Sequence, residues 1–518
     1  MNNNFEVFDI IGPIMIGPSS SHTAGAVRIG LVAGQFCDYK PIEIEVLFHG
    51  SLAKTYNFHK TDVAVIAGII GMGVGDEQIK DSIQIAKMRG IKVEFRKVAL
   101  KDAHPSTIII KLLDSKQNLH VISAASIGGG NISIKEINGY EVDLDGKSNY
   151  LIGETIFDKL KLEEIVVDIF NGNASIENFQ KNKFINSFKI NIDKLEDNAW
   201  LEEIKQIKAI RKVFFVKAVM PVISRGKNFF NNCEELVRRS KENNDLISET
   251  VIKYEIEKSK RTKDQVVQQM KESYLAMEAS IRKGIYGKSQ LLGNIFGGNA
   301  IKMDKFIKSG SSVCGVTLSK VVRNALAVME VNGSMGKIVA CPTAGSAGIV
   351  PAAVFTVAEE HNIPESKIIQ SLFTGGGIGI IIAKNATISG SVGGCQAECG
   401  SASAIAAAII SEMLGGNYEQ ILSSVSLALG NMLGIVCDPV AGMVEIPCIQ
   451  RNAMSAANAI ISAEMALAGI DSVIPADEII YALDEVGKLM DSSLKDTLRA
   501  GISNTPTAKR IQEKAVKD

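Results

Sequence analysis

The 518-residue chain is short of several things. It has one tryptophan, 12 prolines and 6 histidines, and no charge excess: 56 basic side chains stand against 57 acidic ones, a net charge of −1. Without a basic stripe there is no electrostatic footprint for nucleic acid, and without a polybasic run beside an amphipathic stretch there is none for a membrane surface. The longest apolar runs, such as Ile378 to Ala383 or Ala402 to Ile410, fall short of the roughly 20 residues that span a bilayer. The start, Met1 to Gly12, has no positive segment ahead of an apolar core, so no signal peptide is expected. Eight cysteines are too sparse for a disulfide scaffold, so the expected setting is cytoplasmic, with thiols free or ligating metal.

What is there is unevenly distributed. His22, His49, His59, His104 and His120 lie in the first 120 residues, whereas Cys314, Cys341, Cys395, Cys399, Cys437 and Cys448 lie between 314 and 448. Neither a CxxC pair nor a Cys/His mixture occurs, which argues against a structural zinc site. Length predicts about three domains, and the fold class is α+β. Residues 1–148 form an α/β domain, with strands over Ile42–Phe48, Ile91–Phe95 and Thr107–Leu112 and helices over Asp62–Ile70 and Asp76–Arg89. Residues 149–220 form a small βα module, with strands expected at Ile165–Phe170, Phe188–Ile192 and Val213–Ala218 and a helix at Trp200–Ile207. Residues 228–518 are mostly helical, charged over Asn232–Arg282 and then rich in Ala, Gly and Ser.

Three regions carry chemistry. Gly17-Pro18-Ser19-Ser20-Ser21-His22-Thr23-Ala24-Gly25 precedes an apolar pattern, so it crowds hydroxyls and free N–H groups at a helix start suited to a carboxylate or phosphate. His59, beside Thr61 and Asp62, is a candidate general base with an orienting partner. Ser126-Ile127-Gly128-Gly129-Gly130 is a turn where backbone can approach a ligand, or simply a hairpin or bulge. In the C-terminal half, Cys395, Cys437 and Cys448 each sit next to Gly, Asp-Pro or Pro, on loops able to expose a thiolate. Cys37, Cys233, Cys314 and Cys341 are expected to be ordinary buried thiols. Three loop thiols without histidine favour an iron–sulfur site with one open position; Cys399 is a fourth candidate. Thr374-Gly375-Gly376-Gly377-Ile378-Gly379 could cradle the phosphate of pyridoxal phosphate, although helix packing suits its apolar flanks better, and no lysine stands out as a Schiff-base former.

Taken together these motifs resemble the bacterial iron–sulfur L-serine dehydratases, with the family's beta and alpha parts fused in one chain. Phe8 to Pro13, Met15 to Gly25, Gly50-Ser51, His59, Thr61-Asp62, His104-Pro105 and Ser126 to Gly130 are similar to the beta part. Pro342 to Gly348, Asn385, Ser389-Gly390, Gly394 to Glu398, Cys437 to Gly442 and Pro447 to Ala453 are similar to the alpha part. The resemblance implies a [4Fe–4S] cluster on Cys395, Cys437 and Cys448, and an ACT-type regulatory fold for residues 149–220, without that fold's Asp-x-Pro-Gly-like loop. The implied reaction is β-elimination on L-serine, giving pyruvate and ammonia. His59, Thr61 and Asp62 would be catalytic, and Ser19, Ser20, Ser21, His22, Thr23, His104, Ser126 and Gly128 would bind substrate. A homodimer is the expected assembly, with no nucleic-acid or membrane partner. Some single-chain relatives end in a cysteine that caps the open iron; this chain ends Val516-Lys517-Asp518, so that cap is expected to be absent. A related lyase acting on cysteine and a non-catalytic redox or metal sensor remain the alternatives, with a pyridoxal-dependent dehydratase behind them.

Overall fold

The computed structural model describes residues 5–57, 59–170, 172–181, 185–192, 199–220, 229–287 and 289–517. After the short strand β1 (Ile14–Ile16), the N-terminal domain is built on a six-stranded sheet of β2 (Glu43–His49), β3 (Lys92–Val98), β4 (Thr107–Leu113), β5 (Leu119–Gly128), β6 (Asn131–Ile137) and β7 (Tyr140–Leu144), in the order β3-β2-β4-β5-β6-β7. The period-2 pattern of β2 buries Ile44, Val46 and Phe48 completely, the alternation of a half-buried strand. Only β2 and β3 run parallel, so their connection must cross over the sheet. The helices Thr61–Ile69 and Ser82–Met88 lie in that crossover. The helix expected over Asp76–Arg89 starts later: Asp76 accepts from Gln78 N and caps a 3-10 turn, Glu77–Asp81, ahead of Ser82–Met88.

The second unit contains β8 (Asn149–Thr155), β9 (Ala174–Gln180), β10 (Asn186–Ile192) and β11 (Ile210–Val216), with helices Lys159–Phe170 and Ala199–Gln206. Its antiparallel sheet has the order β11-β8-β10-β9, a βαββαβ arrangement. The strand expected at Ile165–Phe170 is instead the end of a helix. Leu162, Val166 and Phe170 recur every four residues and are the helix's buried face.

The remainder is helical. The helix Glu365–Asn385 is long and apolar enough to cross a membrane, but 78% of its apolar window is buried inside the molecule. Its glycines serve packing, as expected of Thr374–Gly379. A Cβ on Gly376 would meet Val7 Cγ1 at 2.6 Å, and one on Gly379 would meet Ile10 Cγ2 at 2.2 Å. The N-terminal segment is therefore part of the helical core. Val7, Phe8, Ile10, Ile11 and Met15 pack there, and β1 pairs with β12 (Lys337–Val339), Ile14 opposite Val339. Cys37, Cys233 and Cys341 are buried as expected; Cys314 is exposed, because it caps the Gly315–Gly333 helix from the loop before it.

Candidate active site

The Gly17-Pro18 peptide leads into Ser19, which is extended and caps the next turn: its Oγ accepts from His22 N at 3.2 Å and lies 3.3 Å from His22 Nδ1. Ser20 to Ala24 form a π-turn that runs into the Gly25–Gly34 helix, a local distortion frequent at functional sites. Ser20 Oγ accepts from Ala344 N at 2.8 Å, and Asn332 Nδ2 donates to Pro18 O at 3.0 Å. Both partners belong to the helical part, so the serine turn is clamped from across the domain boundary. Thr23 Oγ1 donates to His59 O at 3.3 Å, and the His22 and His59 rings lie 4.3 Å apart. Ser21 and His22 are half-buried.

The orienting contact of His59 differs from the expected one. Asp62 Oδ1 accepts from Val63 N, at the start of its own helix, and Thr61 Oγ1 is buried without a partner. The ring's Nε2 instead hydrogen-bonds Gly442 O, five residues after Cys437. A carbonyl only accepts, so Nε2 carries the proton and the buried, unpartnered Nδ1 keeps its lone pair. Burial pushes His59 down to about 4, partly countered by the Gly442 bond; burial and then His59 push His22 down as well. Both rings are thus neutral near pH 7. Ser126 Oγ is another buried hydroxyl without a partner, on the β5–β6 hairpin. Gly128, at φ +103°, brings that hairpin up to Ser389, whose Oγ would lie 3.5 Å from a Cβ there. His104 is exposed in the loop before β4, where its Nδ1 accepts from Ser106 N and its carbonyl from Thr107 Oγ1.

The loop cysteines are not exposed: Cys395 and Cys437, which hydrogen-bond each other, are 2% and 6% accessible, and Cys448, near enough to feel the charge of Cys395, is half-buried. Cys395 opens a second π-turn, Gln396–Gly400, leading into the fully buried Ser401–Met413 helix. Cys448 begins the Cys448–Leu467 helix, where burial, and then the charge of Cys395, pushes its thiol up. The C-terminal segment covers Cys437: Cys437 N donates to Leu494 O at 2.9 Å and Asp496 N to Cys437 O at 2.7 Å. Sγ of Cys395, Sγ of Cys437 and a carboxylate oxygen of Glu398 lie within 4.8 Å of one another. Hydrogen bonds from Cys399 and Cys437, with Arg451 behind them, hold Cys395 well below the usual thiol range. Arg451 Nη1 reaches Cys395 Sγ at 3.5 Å, while its Nη2 pairs with Asp438 Oδ1 at 2.8 Å. Burial, then the charge of Cys395, raises Glu398 to about 8 and Asp496 to about 7.

Several of these residues carried no assigned role in the sequence. Glu398 stands three residues after Cys395, and Arg451 three after Cys448, so one helical turn could have pointed to both. Thr343, which donates to Glu398 Oε1 at 2.5 Å, and Asp496 arrive through the tertiary fold. Gly390 lies against this cluster: a Cβ there would come 2.7 Å from Glu398 Oε2 and 3.3 Å from Cys437 Sγ.

Known proteins match the chain in two parts. The family model described as serine dehydratase beta chain matches residues 6–137, and the one described as serine dehydratase alpha chain matches residues 242–503. A Bacillus subtilis protein named "Probable L-serine dehydratase, alpha chain" is 47% identical over 285 residues, covering 55% of this chain and 95% of its own. The "Probable L-serine dehydratase, beta chain" of the same organism is 52% identical over 140 residues, 27% of this chain and 63% of its own. A single-chain "L-serine dehydratase" of Streptomyces coelicolor is 27% identical over 508 residues, covering 96% of this chain and 98% of its own. With both matches in one polypeptide, meeting at the His59–Gly442 contact, the protein belongs to the serine dehydratase family, its beta and alpha parts fused in that order.

Proposed function

We propose that the chain is an L-serine ammonia-lyase, converting L-serine to pyruvate and ammonia, with a [4Fe–4S] cluster held by Cys395, Cys437 and Cys448. The observation that carries this reading is the His59–Gly442 bond. It sets a buried imidazole with a free Nδ1 beside the cysteine loop. The donor set suits an iron–sulfur cluster: three thiols from three chain segments converge, with Arg451 against one of them and no histidine among them. When bound, such a cluster supplies a Lewis-acidic iron to the substrate hydroxyl.

The chain's own residues account for the rest. The hydroxyls of Ser19, Ser20 and Ser21 hold the substrate carboxylate, while Thr23 ties the turn to the His59 carbonyl. Ser126 and Gly128 form the facing wall, and His22 packs against the base. His59 Nδ1 takes the proton from Cα as that electron pair forms the Cα–Cβ double bond and the Cβ–O bond breaks, releasing hydroxide. The resulting 2-aminoacrylate tautomerises to the imine, which adds water and loses ammonia, leaving pyruvate. The decisive measurement is anaerobic pyruvate release alongside iron and sulfide content per chain. Cys437→Ala is expected to lose the brown cluster colour and turnover together; full turnover in a colourless variant overturns the cluster assignment. Faster pyruvate release from L-cysteine than from L-serine overturns the substrate.

A further inference from the structure

An opening of about 750 Å³ lies away from the cysteines, between the N-terminal segment and the Lys263–Tyr286 helix. Glu6, Asp9 and Arg28 lie on its inner side, and Gln265, Gln268 and Glu272 line the helix side. Glu6 is 2% exposed and Arg28 5%. Oε1 of Glu6 has no hydrogen-bond partner, while Oε2 is 3.4 Å from Arg261 Nη2. Asp9 Oδ2 accepts from Glu6 N at 3.0 Å and lies 3.4 Å from Lys147 Nζ. A buried carboxyl oxygen left without a partner costs free energy that a ligand can recover. Burial, with Glu255 and Asp9 nearby, pushes Glu6 up to about 8. One cavity therefore offers a buried carboxyl, a half-buried one and a buried guanidinium.

We propose that this cavity binds a free α-amino acid, its ammonium group on Glu6 and Asp9 and its carboxylate on Arg28. A simple cation would draw Asp9, the carboxylate that acts on Arg28, away from the guanidinium. A simple anion would face Glu6, Asp9 and, at the rim, Asp264 and Glu272. A zwitterion satisfies both ends, and the glutamine amides of the helix can donate to or accept from its side chain. Arg28 also ties the cavity to the catalytic face. Its Nη1 donates to Gly130 O at 2.6 Å, at the turn of the hairpin bearing Ser126 and Gly128. A ligand on that guanidinium acts on the hairpin through one residue.

The test is calorimetric titration of the full chain with L-alanine, which has both head groups but no β-hydroxyl to eliminate. Propionate and ethylammonium carry one head group each. The expected result is saturable heat for L-alanine and none for either half-ligand. Glu6→Gln should weaken binding about tenfold or more. Gln268→Trp, at an exposed rim position, fills the cavity without disturbing the buried charges and should abolish the heat, so the test does not depend on the Glu6 variant folding. Absence of heat with L-alanine overturns the proposal. So does binding that survives both substitutions, which would belong to the catalytic site, and so does propionate binding as well as L-alanine. Heat is read without turnover, so this outcome is separate from activity on L-serine.

Discussion

His59 separates positioning from chemistry within one ring. Gly442 holds Nε2, and Nδ1 is left free. His59→Gln keeps a side-chain N–H for the Gly442 carbonyl but removes the basic nitrogen. It is expected to lower kcat by about 10²- to 10⁴-fold while leaving the melting temperature near pH 7.5 almost unchanged, checked by anaerobic pyruvate release and thermal melting. The same ring sets a pH dependence. Its folded-state value, about 4, lies below the ordinary 6.5, so the unfolded chain binds the extra proton. The stability it contributes is fully present above pH 6.5 and is lost as pH falls towards 4, a span of about 3 kcal/mol. Melting curves across that window should show a smaller loss in His59→Gln than in the parent; an equal loss would assign the effect elsewhere. At this scale the sequence was most readable where chemistry leaves a local trace. Cys395, Cys437 and Cys448 stood out by their Gly, Asp-Pro and Pro neighbours; the structure sets Cys395 beside Cys437, with Cys448 near enough to feel the charge of Cys395. Asp496 left no such trace, because it reaches Cys395 only when the C-terminal segment folds over the loop.

Among the elements, the Gly25–Gly34 and Thr61–Ile69 helices decide where the serine turn sits relative to His59, since each follows one of them directly. They cross backbone to backbone. A Cβ on Gly68 would meet Val27 O at 2.0 Å and Gly30 Cα at 2.9 Å, and one on Gly30 would meet Val65 O at 2.3 Å. Gly68→Ala must therefore push the helices apart, with an expected cost of about 1–3 kcal/mol and reduced turnover as the turn and the histidine lose alignment. Gly430 is the control: it also lies in a helix, but a Cβ there meets nothing within 4 Å. Gly430→Ala is expected to be neutral or to stabilise by up to about 1 kcal/mol. Melting temperature and kcat measured on both variants check the contrast; equal effects would mean the crossing is not what aligns the site. The glycine-rich composition signalled close packing but not which glycines touch, since that depends on distant partners. Periodicity was also ambiguous for short apolar runs. Ile165–Phe170 reads as a strand alone, and the helix emerges only when Leu162 is included in the i, i+4 stripe.

Across the whole molecule, the boundary between the fused parts is crossed by the first residues of the chain. The N-terminal domain was legible as an α/β unit, yet nothing local shows that Val7, Phe8, Ile10, Ile11 and Met15 belong to the helical core. Apolar residues report burial without naming the surface that buries them. Each is at most 7% exposed, so at about 1.5–3 kcal/mol per side chain the segment contributes roughly 8–15 kcal/mol to holding the halves together, before ordering costs. β1–β12 pairing adds backbone hydrogen bonds to the same junction. By comparison the hydrogen bonds that tie the serine turn and His59 to the helical part are few: Ser20 with Ala344, Asn332 with Pro18 and His59 with Gly442. Interrupting the chain between Met220 and Phe229 and coexpressing the two pieces should therefore give a stoichiometric complex that copurifies and turns over substrate. The same N-terminal piece lacking residues 5–16 should neither copurify nor restore turnover, even though it retains Ser19 to Thr23 and His59. Copurification of the shortened piece would mean that the polar contacts at the site suffice. Loss of both complexes would mean that the covalent link, rather than the shared core, aligns the serine turn with the cysteines.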